Sequence, residues 1–208
     1  MLDLSDPLHS AVYACLTTTF YSAARLGEFV VKSLTAFDPQ SHVKPSDIRQ
    51  ETDEDGRHST IFHIPRTKTA QDGEDVSWSK QDGDTDPEAS LKHHMDINKP
   101  PRDGPLFAYR TTGGKMKALT KTKFLEVIHT AARKAGLEPL KGHGIRIGAT
   151  LCYLLRGVPF AVMKVKGRWA SDAFEIYLRK HAQILAPYMQ AKSKPHEEFI
   201  RLTMPRIR

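Results

Sequence analysis

The spacing of apolar residues changes twice along this chain, and that change limits the possible folds more than any other feature. Residues 7–36 carry apolar side chains every three to four positions, the helical period. Asp6 stands where an N-cap belongs, and Pro7 falls at the first helical position. The stretch reads as one helix, or as two with a break near Thr17–Thr19. Across 46–80 the pattern becomes short β-prone runs, SDIRQ, STIFHIPRT and EDVSWS, separated by the turn-forming ETDEDGRH and QDGE. This predicts a small antiparallel sheet of two or three strands. Residues 85–97 read as helix and KPPRDGP (99–105) as a loop. From 120 the helical period returns: TKTKFLEVIHTAARKAG stops at Gly136, and GIRIGATLCYLLRG at Gly157. Pro159 opens PFAVMKVKG, and SDAFEIYLRKHAQIL and PHEEFIRLTM follow, separated by AKSKP. The expected class is mainly α with a small antiparallel β-sheet (α+β).

The 208 residues, 39% of them hydrophobic, suffice for a substantial core. Mean hydropathy is −0.46, and no run approaches the roughly 18 apolar residues of a membrane helix. The opening MLDLSDPLHS lacks the basic and apolar regions of a secretory signal. A soluble protein with no membrane partner is expected. The two cysteines, Cys15 and Cys152, make neither a disulfide framework nor a zinc site, and they suit a reducing compartment. Charge is unevenly distributed. Residues 1–100 hold 10 Lys+Arg against 17 Asp+Glu, and residues 101–208 hold 21 against 7. A half with such a basic excess suits a polyanion, because each Lys or Arg placed on a phosphate releases a condensed counterion.

Four short segments can carry chemistry, although each alone has an ordinary structural reading. Arg25 and Glu28, at i and i+3, can form a helix-surface ion pair. Lys68, in Pro65-Arg66-Thr67-Lys68-Thr69, ends a strand-like run, where lysine commonly guards a sheet edge. His143-Gly144-Ile145-Arg146 opens a helix, but His63 and Arg66 repeat the same His-x-x-Arg spacing. Gly167-Arg168-Trp169 precedes Tyr177, eight residues beyond the Trp.

Order and spacing together add specificity. An Arg-x-x-Glu helix, an Arg-Thr-Lys-Thr hairpin, a His-x-x-Arg-x-Gly-Ala helix start, a Trp and a Tyr in this order resemble the tyrosine recombinase (integrase) family. The wording is nearest to its Cre-type members. Here the segments are Arg25–Glu28, RTKT at 66–69, HGIRIGA at 143–149, Trp169 and Tyr177. The resemblance covers about residues 10–190. It implies a catalytic domain over 1–190, with 191–208 as a linker and short helix that docks on a neighbouring protomer or packs on its own domain. The family's N-terminal core-binding domain has no counterpart here, so a fragment or a chain needing a partner domain is expected. The family usually spaces its tyrosine nine residues after a His or Trp. Trp169 to Tyr177 is eight and Arg168 to Tyr177 is nine, so either Arg168 or Trp169 can fill that position.

The resemblance implies DNA breakage and rejoining through a 3′-phosphotyrosyl intermediate, with neither cofactor nor metal. Tyr177 would be the nucleophile. Arg25 and Arg146 would clamp the scissile phosphate, Lys68 would protonate the leaving 5′-oxygen, and His143 would accept the Tyr177 proton or hydrogen-bond the phosphate. Trp169 would donate its indole N–H, and Glu28 would orient Arg25 or His143. Arg66, Lys141, Lys166 and Arg168 are further DNA-binding candidates. The implied partners are double-stranded DNA and, on DNA, further copies of the chain in a tetrameric synapse, with a monomer as the alternative in isolation. A mobile-element origin and a nuclear or nucleoid location would follow. Two alternatives are a catalytically silent DNA-binding domain derived from a recombinase, and a type IB topoisomerase-like enzyme.

Overall fold

Asp6 and Pro7 start the first helix as the sequence predicts. In the computed structural model α1 runs Pro7–Tyr21, and the Asp6 carboxylate accepts the His9 backbone N–H at 2.9 Å. The structure describes residues 2–67, 70–138 and 142–169. The chain divides into two compact units, residues 1–146 and 147–208.

In the first unit, α1 is buried along most of its length, with Ala11, Val12, Ala14 and Cys15 fully enclosed. It packs chiefly on α3 (Pro87–Asn98). The helix does not continue to residue 36, and its break falls at Ser22–Ala24 rather than at Thr17–Thr19. Ala23 N–H bonds to Phe20 C=O and Ala24 N–H to Thr19 C=O, closing the end as a Schellman turn. Ala23 holds the left-handed position with φ +51°. Apolar spacing persists past the turn because Ala23, Ala24, Leu26 and Phe29 are all buried. Burial, rather than helix, sustains the pattern there. The four-residue α2 (Leu26–Phe29) follows, and then irregular chain.

The predicted sheet has three strands, β1 (Ile48–Thr52), β2 (His58–Ile64) and β3 (Glu74–Ser79), antiparallel in the order β1-β2-β3. In its register Phe62 pairs with both Ile48 and Val76. A second, two-stranded ribbon, β4 (Tyr109–Arg110) with β5 (Met116–Lys117), was not legible as strand in the sequence. Two residues per strand are too few to show an alternation. Helix α4 (Lys121–Lys134) is capped by Thr120, whose hydroxyl accepts the Lys123 N–H at 3.2 Å.

An aromatic cluster fixes α2 on this core. Phe29 meets Phe62 and Phe107 edge to face, with centroids 5.6 and 5.8 Å apart, and Phe62 in turn meets Trp78 at 5.7 Å. A short parallel bridge joins Val31 to Thr120: Val31 N–H bonds to Leu119 C=O, and Lys121 N–H to Val31 C=O.

Helix α5 (Gly142–Leu155) carries the chain into the second unit, where α6 (Phe160–Lys166) follows Pro159. Ala149, Leu154 and Met163 are buried there. The two cysteines are free thiols. Among the described residues no helix is long and apolar enough to cross a membrane. The helices expected at 171–185 and 195–204, and the boundary expected near 190, lie outside the described residues.

Candidate functional site

Three chain junctions build a small cationic cavity within the first unit. The Schellman turn after α1 delivers Arg25 to the start of α2. There Glu28 binds Arg25 twice: one carboxylate oxygen accepts the Arg25 backbone N–H at 2.8 Å, and the other accepts Nη1 at 3.0 Å. The Glu28 side chain is only 8% exposed, against 39% for Arg25. The acid is therefore a buried anchor, and the guanidinium reaches outward from it. The Val31–Thr120 bridge brings in Lys121, the first residue of α4. The start of α5 supplies His143 and Arg146. Gly142 permits this approach, since a Cβ there would lie 3.1 Å from the Leu26 methyl of α2.

Arg25, Lys121, His143 and Arg146 line a cavity of about 150 Å3, together with Leu26, Gly27 and Gly142. His143 is exposed, whereas Arg146 is buried at 3% exposure. The N-terminal ends of α4 and α5, both 14 residues long, contribute to the cavity lining and add partial positive charge. The arrangement can hold an oxyanion, with guanidinium groups offering paired donors.

Lys121 was not among the sequence candidates, although a signal for it existed. Neither α4 nor α5 has an acidic residue in its first turn, and both have basic ones near that end. Cations at a helix N-terminus oppose the helix dipole, so their placement points to an external anion.

A second cavity, of about 650 Å3, also lies against Arg25. It is lined by Glu28, Lys32, Asp38, His42, Arg66 and Thr67 among others. Arg66, at the root of the β2–β3 turn, donates from Nε to Gln71 Oε1 at 2.8 Å. That turn closes through Thr67 N–H to Ala70 C=O and Ala70 N–H to the Thr67 hydroxyl. Lys68, between these residues, lies outside the described residues, as do Lys141 and Tyr177. The competing His63–Arg66 pair does not form a similar site. His63 Nδ1 sits 2.9 Å from Asp75 Oδ1, and Arg49 holds the other Asp75 oxygen at 2.6 Å on the sheet surface. These partners hold the Asp75 carboxyl below its usual range, the Arg49 hydrogen bond most strongly.

In the second unit, α6 ends as α1 does. Arg168 N–H bonds to Val165 C=O and Trp169 N–H to Lys164 C=O, with Arg168 left-handed at φ +54°. The Trp169 ring lies directly against Gly167, leaving no space for a Cβ there. Lys166 is partly buried, 5.0 Å from the Tyr153 ring centroid, and burial pushes its ammonium down to about 8.

No family model and no curated protein matches the sequence. Solved structures do match. The chain is similar to Flpe in a Holliday junction complex, with a TM-score of 0.52 and 15% identity over 93% of this chain and 45% of that one. It is similar to FLP recombinase in another Holliday junction complex, with a TM-score of 0.51 and 15% identity over 80% and 40%. A tryptophan-to-phenylalanine variant of Flpe on a DNA Holliday junction gives 0.51 and 15% over 79% and 38%. The chain spans less than half the length of these recombinase chains. Mostly helical with a small antiparallel sheet, it has the fold of a tyrosine recombinase catalytic domain.

Proposed function

We propose that the protein binds double-stranded DNA and breaks and rejoins it at specific sites through a tyrosyl phosphodiester. One observation carries this reading: Arg25, His143 and Arg146, distant in sequence, line a single cavity. The order of motifs, which resembles Cre-type recombinases, and the shared fold support it.

A phosphodiester in the cavity would accept hydrogen bonds from Arg25 and Arg146 on its non-bridging oxygens. The two guanidinium groups offset the charge that gathers as phosphorus becomes five-coordinate. A free phenol has a pKa near 10, so Tyr177 needs a base, and His143 takes that role. The Tyr177 oxygen bonds to phosphorus as the bond to the 5′-oxygen breaks. His143 receives the phenolic proton, and Lys68 gives a proton to the leaving 5′-oxygen, which departs as a hydroxyl. Rejoining reverses each transfer, so the energy of the broken bond is conserved. Lys121 adds charge beside the phosphate, and Glu28 positions Arg25. Trp169, or Arg168 in its place, supplies a further donor. Arg66, Lys141, Lys166 and Arg168 hold the DNA backbone.

Residues 1–190 then act as the catalytic domain, and residues 191–208 engage a neighbouring copy in a tetrameric synapse. A mobile-element origin and a nuclear or nucleoid location accord with such a substrate.

The test is covalent trapping on a nicked suicide substrate carrying the DNA that flanks the coding sequence. The wild-type chain should give a covalently shifted band, and Tyr177→Phe should give none. An adduct that persists in Tyr177→Phe overturns the assignment. Tight DNA binding without any adduct would favour a DNA-binding domain without catalysis.

A further inference from the structure

The Val31–Thr120 bridge fixes the backbone beside two lysines, one on each bridged segment. Lys121, next to Thr120, lines the small cavity, and Lys32, next to Val31, lines the larger one, to which Arg25 also contributes. Nothing in the strand-cleavage chemistry above uses Lys32. It is exposed, and its ammonium makes no hydrogen bond or ion pair among the described residues. A lysine next to a fixed backbone bridge in a cleft is held near one place, without a protein partner for its charge.

The other charges in that cleft are largely committed. Glu28 is spent on Arg25. The Asp38 carboxylate closes its own turn, accepting the Gln40 N–H at 3.0 Å and the Ser41 hydroxyl at 2.7 Å. His42 Nδ1 lies 3.1 Å from both the Asp38 backbone N–H and the Asp38 C=O. Arg66 uses Nε on Gln71 and keeps its terminal nitrogens. The cleft, about 650 Å3, is roomy enough for a phosphodiester with parts of its sugars.

We infer that this cleft is a second anion seat. In it Lys32, flanked by Arg66 and His42, holds a DNA backbone phosphate beside the one held by Arg25 and Arg146. The inference rests on the DNA reading above and adds the segment 32–42 to the contact surface. Because Arg25 lines both cavities, the two phosphates belong to one continuous strand path.

The test uses the 208-residue chain and a duplex of roughly 30 base pairs, titrated between about 50 and 200 mM salt. Lys32→Ala should make the slope of log affinity against log salt shallower by about one, and Lys32→Arg should keep it. Duplex DNA should protect the Lys32 amine from reductive methylation, whereas sodium phosphate at the same phosphate concentration and ionic strength should not. An unchanged slope in Lys32→Ala overturns the seat, as does an amine still open to methylation on DNA. Equal protection by sodium phosphate would assign the cleft to a free anion and overturn the DNA assignment. If the Lys32 effects appear but the wild-type chain forms no covalent adduct, strand cleavage fails while the seat stands. An adduct without any Lys32 effect does the reverse.

Discussion

At the residue scale, three described non-glycine residues adopt left-handed backbone: Ala23, Lys99 and Arg168, with φ of +51°, +48° and +54°. Such a conformation costs an L-residue roughly 1–2 kcal/mol, so its surroundings must impose it. Ala23 and Arg168 close the helices that immediately precede Arg25 and Trp169. In both places the chain accepts strain to turn sharply just ahead of a candidate site residue. Glu28 then sets the outcome of the first turn, because it binds both the backbone and the guanidinium of Arg25. Glu28→Gln keeps the shape but removes the charge that holds the guanidinium. We expect the rate of covalent adduct formation to fall by roughly ten- to a hundredfold, with duplex affinity changed by less than about threefold. Trapping kinetics at saturating DNA would check this, and an unchanged rate would remove Glu28 from the mechanism. The Arg25–Glu28 pair was readable in the sequence as an i, i+3 contact. Its second bond, to the backbone, was not, because it exists only when Arg25 caps a short helix.

At the element scale, α2 has four residues, too few to hold a helix unaided. It is kept by Phe29 against Phe62 and Phe107, and by the Val31–Thr120 bridge. A buried polar clip ties neighbouring elements together. His94, fully buried on α3, donates from Nε2 to Leu106 C=O at 2.9 Å and accepts at Nδ1 from Asn98 Nδ2 at 3.0 Å. Asn98 also donates to Pro7 C=O and accepts the Arg110 N–H, which links α1, α3 and β4. Burial drives the His94 imidazole down to about 4. A proton on Nδ1 would face the Asn98 N–H, so the folded protein resists charging this ring while the unfolded chain accepts it near 6.5. Stability from this group is complete above about pH 6.5, declines as pH falls, and is fully lost near pH 4. Urea unfolding should show a loss of about 2–3 kcal/mol between pH 7 and 4.5. A His94→Gln variant should lose less over the same interval. If the two pH profiles coincide, the clip is not the source.

At the scale of the whole molecule, five formal cations surround the two cavities that share Arg25: Arg25, Lys32, Arg66, Lys121 and Arg146. The basic excess of residues 101–208 adds to them. Duplex affinity should therefore fall steeply with salt, with a log–log slope of roughly −3 to −5. That corresponds to about a hundredfold loss or more between about 50 and 200 mM salt. Fluorescence anisotropy across that range would measure it, and a flat response would count against extensive phosphate contact. The sequence places its basic excess in residues 101–208, a composition suited to a polyanion. Arg25, Lys32 and Arg66, however, all come from the acidic half. Linear charge counts average over turns such as 51–55, whose carboxylates lie on exposed β1–β2 chain away from the cavities.

The sequence alone determined the helix–sheet–helix order, a small antiparallel sheet of two or three strands, the cap at Asp6, and the set of candidate polar residues. These depend on period, on turn chemistry and on order along the chain, all of them local or linear properties. The tertiary structure alone decided that the first helix stops at Tyr21, that Glu28 grips the backbone of Arg25, and that Lys121 and Lys32 line two cavities that share Arg25. Each of these depends on which distant backbone packs against α2. Burial against α3, Phe62 and Thr120 overrides local helical spacing, and no local pattern encodes that.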